Sequence, residues 1–155
     1  MTRFDELCES YQRLLTGAED YENECQDFAQ KVVNGFVDYL DCGRNDLEIK
    51  QFALNEDGYY HCTLELTVYQ GSDKHSGKGL VPEITLKIAR DIDDFVAKIA
   101  SGTQVHAINK NELNNPENQA LDNLYEALYR GIKSYYETPI DDFIHRNMKG
   151  SINFG

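Results

Sequence analysis

The apolar spacing of the first forty residues constrains this chain more than any other feature. From Phe4, Leu7, Cys8, Tyr11, Leu14 and Leu15 through Ala18, Tyr21, Cys25, Phe28 and Val32 to Phe36 and Leu40, apolar side chains recur at helical steps. That pattern puts them on one stripe of an amphipathic helix. Thr2 suits an N-cap and Cys42-Gly43 a stop. An unbroken helix over residues 2–41 would be about 57 Å long at 1.5 Å per residue. A compact domain of this length has a radius of gyration of about 15 Å, so such a helix would overhang its own domain and offer a route to dimerisation. Thr16 and Glu19 have the spacing of a capping box, and Gly17 lowers helix propensity by about 1 kcal/mol relative to alanine. Two helices meeting at Thr16-Gly17 are therefore the favoured expectation, with one long helix as the alternative.

After residue 46 the period falls towards two. Leu47, Ile49, Phe52 and Leu54 mark a first strand with imperfect alternation, and Asn55-Glu56-Asp57-Gly58 has the composition of a turn. Tyr60, Cys62, Leu64, Leu66 and Val68 then alternate cleanly with Tyr59, His61, Thr63, Glu65, Thr67 and Tyr69. One buried and one wet face is the signature of an antiparallel strand. Gly71–Gly79 reads as a polar hairpin loop, and Ile84, Leu86 and Ile88 as the inward residues of a third strand entered at Pro82. Helical spacing returns at Ile92, Phe95, Val96, Ile99 and Ala100, with Asp91 as cap, and predicts a helix over 91–101. A short fourth strand is expected within 103–109. Asn115-Pro116 predicts the start of a helix carrying Leu121, Leu124, Tyr125, Leu128 and Ile132, and Thr138-Pro139 a last short one.

The expected fold is thus α+β: an antiparallel sheet of three to four strands, with N-terminal helices (or one long helix) and C-terminal helices packed on one face. Residues 1–148 are read as one domain and 149–155 as a flexible tail.

Charge narrows the function. Asp and Glu number 27 against 15 Lys and Arg, for a formal charge of −12, while 41% hydrophobic and 27% charged residues are ordinary globular usage. So acidic a chain is a poor candidate for direct nucleic-acid binding or for docking on anionic membranes, both of which draw on Lys and Arg. No apolar run has the length of a membrane span, and the N-terminus lacks the apolar core of a signal peptide. Cys8, Cys25, Cys42 and Cys62 form no CxxC pair, so they read as reduced structural thiols and the expected compartment is cytoplasmic.

No catalytic constellation is visible, and neither a metal site nor a cofactor is expected. Gly71–Gly79 has five residues between its first glycine and Gly77-Lys78, and Gly79 where a P-loop needs Ser or Thr. No two of the histidines His61, His75, His106 and His145 have ligand spacing. Asp91, Asp93 and Asp94 lack the pattern of a calcium loop.

The acidic excess is uneven. Residues 1–60 carry 14 acids and 5 bases, whereas 61–155 carry 13 and 10. It is densest at Glu19, Asp20, Glu22, Glu24 and Asp27. These five residues, with Tyr59 and Tyr69 on the polar strand face, are the candidate protein-binding residues. The reading that follows is a non-enzymatic acidic protein-binding module: an adaptor, chaperone or inhibitor that meets a protein with a basic surface and forms a homodimer. One alternative is a small-ligand binder or enzyme with a pocket between sheet and helices, lined by Tyr60, His61, His106 and Tyr125. Another is a DNA mimic or anti-defence inhibitor, which the nearly balanced second half argues against.

Overall fold

The computed structural model describes residues 1–69, 71, 83–138, 140, 142 and 144. One helix, α1 (Arg3–Leu40), runs without a break through the point where two helices were expected to meet. Thr16 does not cap a new helix there. Its hydroxyl donates to the Gln12 carbonyl at 3.1 Å, the back-bond of a residue inside a helix. Gly17 lowers the local propensity, but the stripe keeps its phase across it. The helix starts in a reciprocal box. The Asp5 N–H donates to the Thr2 hydroxyl at 3.1 Å, and the Thr2 N–H donates to the Asp5 carboxylate at 2.9 Å. Those bonds from Thr2 hold the Asp5 carboxyl below its usual range. Asp41, in the left-handed region at φ 55°, ends the helix.

Five strands follow: β1 (Leu47–Leu54), β2 (Tyr60–Leu66), β3 (Glu83–Asp91), β4 (Asp94–Ile99) and β5 (Val105–Asn109). They form an antiparallel meander in the order β1-β2-β3-β4-β5. The sheet therefore has five strands, not three to four, and the difference arises at 91–101. That segment is not a helix. Asp91 pairs with Asp94 around a two-residue loop, and Phe95, Ala97 and Ile99 alternate inward opposite Arg90, Ile88 and Leu86. Its apolar residues fit both periods. A run this short is decided by its neighbour, and β3 supplies a ready edge. Ile92 in that loop takes φ 51°, a costly conformation for a β-branched residue.

The imperfect alternation of β1 also has a local cause. Ile49 faces Leu64 and Gln51 faces Thr63, which leaves Lys50 as an extra residue. This bulge shifts the phase between the Leu47/Ile49 pair and the Phe52/Leu54 pair.

The last helix with described bounds, α2 (Gln119–Tyr136), begins three residues later than the expected Pro116 start. Asn118 is its cap. The Asn118 side chain accepts from the Leu121 N–H at 3.1 Å and donates to the Glu112 carbonyl at 2.9 Å. Asn115 instead accepts the Glu117 N–H and makes a turn. The loop at 72–79, Pro82, the helix expected from Pro139 (apart from residues 140, 142 and 144) and the tail at 149–155 lie outside the described residues.

The core is a two-layer sandwich of sheet and helices. Cys25, Phe28, Val32 and Phe36 from α1, and Leu124, Leu128 and Ile132 from α2, bury against Cys62, Leu64, Leu86, Ile88 and Ile108 of the sheet. Both helices cover the same face, and the other carries partly exposed polar residues such as His61, Thr63, Glu65 and Lys87. All buried positions of α1 lie between Cys25 and Val37. Residues 3–20 are exposed throughout, so about 27 Å of helix projects beyond the core.

His106 is buried on the inner face of β5 and lies opposite Ala97. Burial lowers its pKa from 6.5, because the imidazolium loses hydration there. Below pH 6.5 the unfolded chain then takes up a proton that the folded chain resists, so stability falls as pH falls through this window. Urea midpoints measured from pH 8 to pH 5 are expected to drop on the acid side. His106→Gln should flatten that drop, and an equal slope in both proteins would refute the assignment.

Candidate interaction surface

Because α1 remains helical after leaving the core, its stripe emerges into solvent. Phe4, Leu7, Tyr11, Leu14 and Leu15 are all exposed. They continue the face that carries Phe28, Val32 and Phe36 into the core, and Phe4, Tyr11, Ala18, Cys25 and Val32 recur at intervals of seven. An uncovered apolar ridge of this length is unusual on a monomer.

A polar latch fixes where the helix leaves the sheet. Arg90 donates to the Glu24 carboxylate at 2.8 Å and Lys110 donates to the same oxygen at 3.2 Å. These cations, Arg90 foremost, hold the Glu24 carboxyl below its usual range. The Arg90 N–H donates to the Tyr21 hydroxyl at 2.9 Å, and its guanidinium lies 4.8 Å above the Tyr21 ring. Lys110 also stands 5.5 Å from the Phe95 ring. Sequence order gives no hint of this cluster, in which Glu24 and Lys110 lie 86 positions apart.

The five acids singled out from the sequence therefore divide. Glu19, Asp20, Glu22 and Asp27 are exposed to solvent, whereas Glu24 anchors the helix. The two tyrosines separate as well. Tyr59 precedes β2, and its N–H donates to Asp57. Tyr69 lies beyond the end of β2 and donates to the Asp46 carboxylate at 2.8 Å, which ties the chain to the entry of β1. They do not form one row.

The four residues expected to line a pocket do not converge either. Tyr60, His106 and Tyr125 are buried on the helix side of the sheet. His61 projects to the other side, as its strand position requires. There it meets Asp57 at 2.9 Å and Asn55 at 3.0 Å, and Lys87 approaches the same Asp57 oxygen at 3.1 Å. His61, followed by the Tyr59 N–H, holds the Asp57 carboxyl far below its usual range. Tyr125 lines a groove of about 390 Å³ between α1 and α2 that includes Lys31, Gly35, Asn118 and Leu121. A second groove of about 390 Å³ lies between α1 and β1, beside Gln30, Asn34, Arg44 and Glu48.

Cys8, Cys25 and Cys62 are free thiols. Burial pushes Cys25 up to about 11 and Cys62 up to about 12, which leaves both poor nucleophiles. Cys8 is exposed on the ridge. Among the described residues no helix is long and apolar enough to cross a membrane. No protein-family model, no curated protein and no solved structure matches the chain.

Proposed function

We propose that the protein is a non-enzymatic binding module whose projecting helix presents an acidic surface to a protein with a basic face. The observation that carries this reading is the projection itself. Residues 1–30 hold eight acids, Asp5, Glu6, Glu9, Glu19, Asp20, Glu22, Glu24 and Asp27, but only Arg3 and Arg13 as bases. Apart from Glu24, those acids are exposed, and Asp5, Glu6, Glu9, Glu19 and Asp20 lie on the rod that stands clear of the sheet. Charge arranged this way steers encounter and selects partners by sign. A rod also offers its charge from several sides, which suits an adaptor or inhibitor better than a catalyst.

The test uses a defined basic probe, a fluorescein-labelled lysine-rich helical peptide, followed by anisotropy. Binding is expected to weaken at least tenfold between about 0.05 and 0.3 M salt, because screening shortens the reach of exposed charges to about 6 Å. The variant E19Q/D20N/E22Q/D27N should lose at least as much at low salt, with Glu24 left intact so that the latch survives. Equal binding by both proteins, or binding indifferent to salt, would overturn the proposal.

A further inference from the structure

We infer that the exposed ridge of α1 is covered by a second copy of this chain, with the two projecting helices packed antiparallel. This goes beyond the acidic binding role, which uses the flanks of the helix and not its apolar seam.

Area is the first argument. Phe4, Leu7, Tyr11, Leu14 and Leu15 are 72%, 68%, 62%, 68% and 45% exposed. With aromatic side chains burying 150–250 Å² each, these five leave roughly 600 Å² of apolar surface in water. Adding the polar atoms beside them brings the patch close to the roughly 800 Å² per partner of a standard interface.

Side-chain size is the second. In an antiparallel pair whose facing residue numbers sum to 25, Leu7 meets Ala18 of the other copy, Tyr11 meets Leu14 and Phe4 meets Tyr21. Two of these three layers set a larger side chain against a smaller one, and symmetry repeats every layer. A parallel pair would instead set Ala18 on Ala18 and leave a gap between larger layers.

Charge is the third, and it favours the same orientation. Arg3 lies at the start of the projection and Glu22 at its base. The antiparallel arrangement brings Arg3 beside Glu22 and opposes the two helix dipoles, whereas the parallel one aligns the dipoles and sets Glu22 beside Glu22. Ile92, held at φ 51° and 82% exposed, lies two residues beyond the Arg90 that binds Tyr21. The amino-terminal turn of the second copy, with Met1 and Phe4, arrives at that level.

Sedimentation equilibrium of the full chain at tens of micromolar should give twice the 17.7 kDa chain mass, and the dimer should persist at high salt. L7E/L14E should sediment as a monomer with an unchanged near-ultraviolet spectrum, because neither residue touches the core. In a Cys8→Ser background, chains with Leu7→Cys mixed with chains with Ala18→Cys should crosslink on mild oxidation, while either variant alone should not. A wild-type monomer at 100 μM would overturn the inference. So would a dimer that survives L7E/L14E, or Leu7→Cys chains that crosslink to themselves. Loss of the dimer with salt-sensitive peptide binding retained would leave the acidic binding role standing.

Discussion

Phe28→Ala is expected to remove about 3–5 kcal/mol of folding stability, the usual cost of deleting a buried phenylalanine. Phe28 is 1% exposed and stacks on Phe95 of β4 with ring centroids 4.4 Å apart and planes 6° from parallel. A domain of this size is held by about 5–15 kcal/mol in all, so a large share of the total rests on this one side chain. Phe4→Ala makes the same chemical change on the same face of the same helix, 24 positions earlier. It should shift the urea midpoint of dilute single chains by less than about 0.5 kcal/mol, the usual range for surface sites. Unfolding followed by tyrosine fluorescence and far-ultraviolet dichroism checks both. Equal losses from Phe4→Ala and Phe28→Ala would mean that the first half of α1 folds back on the core.

That contrast marks the limit of what the sequence can say. Phe4 and Phe28 are indistinguishable in it, since periodicity reports which face of a helix is apolar and is silent on what covers that face. The β2 alternation from Tyr60 to Leu66 was legible because strand spacing alone accounts for it. The bulge at Lys50 was visible only as an imperfection, and its cause lies in the pairing with β2. Residues 91–101 are ambiguous in sequence, because Ile92, Phe95, Val96 and Ile99 satisfy a helix while Phe95, Ala97 and Ile99 satisfy a strand. The pairing with β3 decides between them, and no local rule contains it. The acids were legible as a cluster, yet Glu24 could not be told from Glu22 until Arg90 and Lys110 stood beside it.

Gly35→Ala should show how closely the helices meet. This glycine lies inside α1, five residues before its end, where alanine would ordinarily gain about 1 kcal/mol of helix propensity. A Cβ there would stand 2.2 Å from the Tyr125 hydroxyl oxygen and 3.0 Å from the ring carbon that bears it. Tyr125 cannot easily swing aside. It is buried in α2, with ring centroids 5.6 Å from Phe36 and 5.7 Å from Tyr39. Overpacking of this kind costs about 1–3 kcal/mol, so a net loss of stability is expected where a helix scale alone forecasts a gain. Tyr125→Phe removes the nearest atom and leaves the ring carbon, so G35A/Y125F should recover part of that loss. A double-mutant cycle of urea midpoints would give the coupling, which is zero for two independent losses and here favours the double variant. Gly35→Ala more stable than wild type would show that α2 can retreat from α1 at little cost, and that Gly35 does not set the distance between them.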